Sequence, residues 1–303
     1  MKVSVIGLGN VGSSVAFVLA TSDFVQELVL VGRSRDSVLG DALDLSHGQL
    51  FVENPTKVIA GTVEQTAQSD VLVICASVPT PADMKDRSEL AKGNVALMKQ
   101  LLPPLVAVSP ECKIVMVSNP VDVLVYYAIQ FSGLPASRVF GTGTLVDSAR
   151  FRHLLSEQIN IHQDDIRAYI LGEHGNSQFP ALSCAHAGGE KLDPTPERYE
   201  LSQQAASAGF QVLKLKGYTN YAIALATASL VRFLCLNQHH TVPISLLVDG
   251  YLGVSDVCLS LPAVVGRKGI ERILHPQLNL REQKEFLHSA SVVSEVIESC
   301  REI

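Results

Sequence analysis

"VSVIGLGNVG", Val3 to Gly12, decides the fold. Val3–Ile6 reads as a buried strand and runs directly into Gly7, Gly9 and Gly12, spaced G-x-G-x-x-G. Val11–Thr21 then continues with helical periodicity. In such a turn the first glycine permits the tight bend and the second lets backbone approach an anion. The third lets the helix pack closely on the strand. The helix N-terminus adds unpaired N–H groups and partial positive charge. A glycine-rich turn alone is also a plain packing device. Its place here, after a strand and at the head of a strand–helix alternation, points to a dinucleotide pyrophosphate, with Asn10 and Val11 beside it.

Working outward, the first half alternates apolar runs with helical patterns. Strands are expected at Val3–Ile6, Leu28–Val31, Lys57–Ala60, Val71–Ala76, Lys113–Ser118 and Val139–Gly141. Helices are expected at Val11–Thr21, Val38–His47, Leu90–Leu102 and Val121–Phe131. Nearly continuous Val, Ile and Leu runs suit parallel strands covered on both faces. The alternation predicts an α/β, doubly wound parallel sheet of the Rossmann kind, with ligands at the carboxyl ends of its strands.

After about Thr144 the rhythm changes. Helices are expected at Leu145–Gln158, Tyr199–Leu213, Asn220–Gln238 and Arg281–Arg301, and strands near Ile166–Ile170, Thr241–Leu252 and Asp256–Val265. The expected division is a dinucleotide-binding lobe over 1–143 and an α+β substrate lobe over 144–303, tightly packed together.

About 20 residues past the last glycine, a dinucleotide-binding chain is expected to place an acidic residue that reads the ribose 2′-hydroxyl. Here Gly32 falls at that place, followed by Arg33, Ser34 and Arg35. Glycine removes the repulsion a carboxylate would exert on a 2′-phosphate, and arginines and a serine hydroxyl can bind one. The cluster predicts NADP as the preferred cofactor, with NAD as the alternative if the loop is merely a solvated basic turn.

Composition bounds the remaining choices. The chain has 303 residues, 47% hydrophobic and 18% charged, with a formal net charge of -6. That suits a compact protein and excludes a general nucleic-acid binder, which needs a basic surface. No apolar run reaches the roughly 18 residues of a membrane span. The six cysteines are scattered without a C-x-x-C pair, as expected for reduced thiols in the cytoplasm rather than a metal or disulfide framework. The N-terminus enters a strand at once, and no signal peptide is expected.

The second half carries proton-transfer groups. Asp147 and Arg150 in "TLVDSARFR" lie three apart and share a helix face. His174 sits in "LGEHGNSQF" beside Gly175, after an expected strand, a poor place for a core histidine and a good one for an acid/base. Oxidising a secondary alcohol needs such a base and an acceptor that orients it, for which Asp147 is the candidate. A carboxylate substrate needs a bidentate cation, the role open to Arg150.

Taken with "SNPVDVLVYYA" (Ser118–Ala128) and "KGYTNYAIA" (Lys216–Ala224), these motifs resemble the lactate/malate dehydrogenase family over nearly the whole chain. The L-2-hydroxyisocaproate and L-lactate branch is nearer than the malate enzymes. The resemblance implies His174 as proton donor and acceptor, Asp147 as its partner and Arg150 as the carboxylate clamp. It implies Asn119 beside the nicotinamide and the reacting oxygen, and Arg87 on a closing loop where it polarises the carbonyl. Asn94 matches a position near the cofactor. The substrate-selecting position falls on Thr80, in a loop one residue longer than usual, and Thr219 matches the lactate-like pattern opposite it. A threonine cannot neutralise a second carboxylate, so a monocarboxylic 2-hydroxy/2-oxo acid pair is expected unless Lys85 moves in. The resemblance also implies a homodimer or homotetramer. The competing readings are a malate dehydrogenase with an atypical loop and a non-catalytic nucleotide-binding protein on the same fold.

Overall fold

The structure, a computed structural model, describes residues 1–79 and 87–303, without the side chains of residues 87–89. The first half forms β1 (Lys2–Ile6), α1 (Asn10–Ala20), β2 (Glu27–Val31), α2 (Arg35–Gly48), β3 (Lys57–Ala60), β4 (Val71–Ile74), α3 (Arg87–Val108), β5 (Lys113–Met116), α4 (Val121–Ser132) and β6 (Val139–Gly141). These six strands pair in parallel in the order β3-β2-β1-β4-β5-β6. The order reverses between β2 and β4, on either side of β1, and in doubly wound sheets ligands bind beyond the strands' carboxyl ends at such a switch point. Residues of β1, β4 and β5 are almost wholly buried, which is why their sequence is continuous Val, Ile and Leu.

The second half contributes α5 (Leu145–Ile159), the short strands β7 (Ile166–Arg167), β8 (Ile170–Leu171), β9 (Phe179–Pro180), β10 (His186–Ala187) and β11 (Glu190–Lys191), and helices α6 (Pro196–Lys216) and α7 (Tyr221–Cys235). The long hairpin β12 (His240–Tyr251) and β13 (Val254–Gly266), the edge strand β14 (Gly269–Ile273) and α8 (Leu280–Ser299) complete it. The hairpin does not build a separate sheet. Ser245 of β12 pairs antiparallel with Gly141 of β6, so β12, β13 and β14 extend the first sheet to nine strands. One apolar core runs through both halves, from Val5 and Leu72 to Leu261 and Phe286, and a smaller one lies under α5 around Phe151 and Leu155.

Three elements differ from the sequence expectation. Pro103 and Pro104 do not end α3, which continues to Val108. An interior proline costs about 3 kcal/mol, and the complete burial of Met98, Leu102 and Leu105 on one face of α3 offsets it. The strand expected at Ile166–Ile170 splits, β7 pairing with β10 and β8 with β9. The edge strand β14, "GIERI", has too few apolar residues to show as a strand. Its opening Gly269 has φ +102° and lies so close to Ser137 that a Cβ would collide with its carbonyl oxygen.

No helix among the described residues is long and apolar enough to cross a membrane. No group of three or more His, Cys, Asp or Glu among them is arranged to hold a metal ion.

Candidate active site

The glycine turn sits at the switch point. Gly7 has φ +98°, open only to glycine at low cost, and a Cβ there would collide with the Ala76 backbone nitrogen. A Cβ on Gly12 would overlap the Gly7 carbonyl oxygen, so only glycine lets α1 sit this close to the turn. Around Gly9 there is open space. Gly9 caps α1 without a side-chain hydrogen bond, so the N–H groups of the first turn, at Asn10 and Val11, face outward with no side-chain cap. A cramped first and third glycine with an open second one fits a pyrophosphate laid across the turn.

The Gly32 stretch continues from β2 directly into α2. Ser34 is the N-cap and accepts from the Ser37 backbone at 3.4 Å, and Arg35 is the first helical residue. Arg33, Ser34 and Arg35 are exposed, and among the described residues neither arginine is engaged in an ion pair. Two free guanidiniums therefore flank a helix N-terminus, whose dipole also favours an anion; Asp36 in the first turn is the opposing charge. A Cβ on Gly32 would approach Val38 Cγ2 to 2.7 Å. Glycine is thus also a packing requirement here, which the sequence does not reveal.

The candidate acid/base and clamp residues converge where α5 meets the loop after β8. His174 Nδ1 lies 2.9 Å from Asp147 Oδ2, and Arg150 donates to Asp147 Oδ1 at 3.1 Å. One buried carboxylate thus orients both the imidazole and the guanidinium. The negative acceptor at Nδ1 places a proton there and leaves Nε2 without a partner among the described residues. The side chains of His174 and Arg150 are 32% and 24% exposed, against 4% for Asp147, so the two functional heads reach solvent while their anchor does not.

Residues 27 apart are brought into register by a set of buried hydroxyls. The Thr144 and Ser148 side chains donate to the Ile170 carbonyl at 2.6 and 3.2 Å, and the Ile170 N–H donates to Ser148 Oγ at 2.9 Å. Ser260 on β13 accepts from the Thr144 N–H at 3.0 Å, while its backbone pairs with Gly172. The start of α5 and the root of the His174 loop are therefore fixed to one point of the sheet. The Glu173 carboxylate closes the loop from inside by accepting from the Ser177 N–H at 3.0 Å.

Burial disfavours the imidazolium of His174, but the hydrogen bond and charge of Asp147, followed by the charge of Asp122, outweigh it, and the pKa is raised above the ordinary value. Burial pushes Asp147 up, yet His174 and Arg150 together hold it below the usual carboxylate range. The two shifts favour the same arrangement, a proton on His174 and a charge on Asp147.

The remaining candidates divide. Asn119 follows β5 with an exposed side chain at the strand's carboxyl end. Thr219 is half-buried in the turn between α6 and α7. Asn94, which the resemblance sets near the cofactor, is fully buried and occupied elsewhere: it accepts from the Val78 N–H and donates to the Asn119 carbonyl, each at 2.7 Å. Through the latter bond it braces the Asn119 turn. Thr80 and Lys85 lie outside the described residues; Arg87 opens α3, and its side chain is likewise outside them. The structure adds groups the sequence reading passed over. A Cβ on Gly209 of α6 would come within 3.2 Å of the Arg150 guanidinium, so the α6 backbone forms the wall behind it. Asp122 accepts from the His174 backbone N–H at 2.7 Å. A lone carboxylate inside the apolar run VDVLVYYA was the available signal for it.

Residues 1–141 match the family model described as lactate/malate dehydrogenase, NAD binding domain, and residues 144–303 that described as lactate/malate dehydrogenase, alpha/beta C-terminal domain. The chain belongs to the lactate/malate dehydrogenase family. An L-lactate dehydrogenase of Thermoanaerobacterium saccharolyticum is 38% identical, with 98% of each chain covered. L-lactate dehydrogenase 2 of Peribacillus psychrosaccharolyticus is 36% identical over 98% of this chain and 95% of its own. The L-lactate dehydrogenase A chain of Lycodichthys dearborni is 37% identical over 96% and 91%. The protein is accordingly an enzyme, a 2-hydroxy acid dehydrogenase that uses a nicotinamide cofactor on a Rossmann domain.

Proposed function

We propose that the protein interconverts an L-2-hydroxy monocarboxylic acid and its 2-oxo acid, in the manner of an L-lactate dehydrogenase, with NADP preferred over NAD. The observation that carries the reaction is the shared carboxylate: Asp147 holds His174 on one oxygen and Arg150 on the other. Arg150 clamps the substrate carboxylate through guanidinium nitrogens not engaged by Asp147, which fixes the distance from the clamp to His174 Nε2. When bound, the nicotinamide cofactor donates a hydride to, or takes one from, carbon 2 of the acid. In reduction His174 Nε2 delivers its proton to the carbonyl oxygen as that oxygen gains charge, and Asp147 stabilises the imidazolium until transfer. In oxidation the neutral imidazole takes the proton back.

Asn119, held by Asn94, lies at the carboxyl end of β5 on the cofactor side, and Arg87 and Thr80 complete the substrate wall in this reading. In this reading the chain divides at 143/144, with the clamp and acid/base in the second half and the dinucleotide turn in the first. The preference for NADP rests on Gly32, Arg33, Ser34 and Arg35 at the start of α2. Self-association into a dimer or tetramer fits the apolar side chains left exposed on α1, α2, α6 and α7, among them Phe17, Leu43, Phe210 and Leu225. Cytoplasmic residence fits six unpaired cysteines.

The test is a nicotinamide absorbance assay with pyruvate, 2-oxoisocaproate, phenylpyruvate and oxaloacetate, each with NADPH and with NADH. Turnover of the monocarboxylic acids with higher kcat/KM for NADPH is expected. Oxaloacetate as the best substrate would overturn the monocarboxylate assignment.

A further inference from the structure

Behind the Asp147–His174 pair lies another buried carboxylate. Asp122 is 3% exposed, in the first turn of α4, and its two oxygens face two different segments. Oδ2 accepts from the His174 backbone N–H at 2.7 Å, and Oδ1 accepts from the Ser245 hydroxyl of β12 at 2.5 Å. An ionised group in such a place is costly unless it is matched to a nearby positive charge. A protonated His174 ring is the positive charge that favours its ionised form.

We propose that Asp122 is a positioning residue for the dehydrogenase reaction: it fixes the His174 loop to α4 and β12, and its charge helps to keep the proton on the catalytic imidazole. This inference rests on His174 being the proton carrier. The charged and titratable neighbours of Asp122 are His174 and Glu173 from the loop and Cys258 from β13; the neutral Ser245 comes from β12. Burial pushes Asp122 up to about 6, against the pull of Ser245 and His174, so it is ionised from neutral pH upward, where loss of the His174 proton limits reduction. The charges of Asp122 and Asp147 act on His174 in the same direction, and Arg150 opposes them.

The test is Asp122→Asn in the full-length enzyme. Asparagine keeps an oxygen for the His174 N–H and offers an amide to Ser245, so the loop keeps its anchor while the charge is lost. The alkaline limb of the pH profile for 2-oxo acid reduction is expected to move to lower pH. The rate on that limb should fall by about threefold or more, since one pKa unit changes protonation by about tenfold, and KM for the oxo acid should change less than kcat. A limb at its wild-type position, or an equal loss of rate at every pH, would overturn the proposal, the latter because packing alone has no pH signature. Should D122N not fold, ¹⁵N-histidine NMR of the wild-type protein decides. The His174 ring signal, assigned by its absence in H174N, is expected to show one inflection from its own titration and another from Asp122; a single inflection would refute the coupling. H174N separates the two levels of the argument. If it retains full turnover, the assignment of His174 fails; if it is inactive while the D122N limb stays in place, only the role of Asp122 fails.

Discussion

Replacing Arg33 and Arg35 with alanine removes the two guanidiniums that flank the N-terminus of α2. A charge-assisted hydrogen bond to phosphate contributes about 1.5–3 kcal/mol. Both side chains are exposed, and solvent screening brings each down to about 0.5–1 kcal/mol. Loss of both should therefore weaken NADPH by about 1–2 kcal/mol, or about 5- to 30-fold in affinity. NADH has no 2′-phosphate and should change little. The N-terminal dipole of α2 survives, so a residual NADPH preference is expected. Full reversal calls for an acidic reader in place of Gly32, and here the structure sets a condition. A Cβ added at Gly32 would sit 2.7 Å from Val38 Cγ2, and Val38 is buried and stiff at χ1. Gly32→Asp alone should cost about 1–3 kcal/mol of stability from overpacking. Adding Val38→Ala makes room. Isothermal titration of both reduced cofactors, with kcat/KM for each, measures the effect, and raising salt should weaken NADPH more than NADH. An R33A/R35A enzyme with the wild-type NADPH-to-NADH ratio would refute the reasoning.

Other expectations concern the proton and the clamp. His174→Asn should lower kcat in either direction by about a hundredfold or more while cofactor titration stays near wild type; near-normal turnover would remove His174 from the reaction. Arg150→Lys keeps a charge but loses the planar fork, so binding of 2-oxo acids should weaken by about 2–3 kcal/mol, read as a raised KM in steady-state assays. The raised pKa of His174 fixes the sign of the pH dependence. The proton is present below that pKa and lost as pH rises through it, so reduction should fall on the alkaline side as oxidation rises. Parallel profiles in the two directions would contradict the assignment.

Local patterns were legible where a residue's surroundings lie close in sequence. The turn at Gly7–Gly12 and the strand–helix alternation after it follow from neighbours a few residues away, and the structure places them as expected. The partnership of Asp147 with Arg150 needs only a helix period. Its partnership with His174 followed only from the chemical need of an acid/base for an orienting acceptor, and the family resemblance supported it; the hydroxyls that align the two come from Thr144, Ser148 and Ser260, the last far along the chain. A serine in a strand carries no local mark of such a role.

The same reason explains why the division into two lobes conceals what holds the site together. Gly141 ends the last parallel strand, and Ser245, more than a hundred residues later, pairs with it and donates to Asp122 in the turn of α4 just beyond β5. Thr144, Asp122 and the His174 loop are thus attached to the sheet through β12 and β13, the hairpin that joins the halves. In the proposed reaction a hydride donor bound at the switch point and a proton donor on the far half must keep a fixed separation for transfer, since small misplacements of reacting groups are costly. One continuous nine-stranded sheet supplies that rigidity, whereas two lobes on a hinge would have to recover it at each turnover. The composition of β12 is consistent with this demand. It is buried along most of its length, and its one serine sits opposite Gly141, where β6 ends and the active-site segments begin.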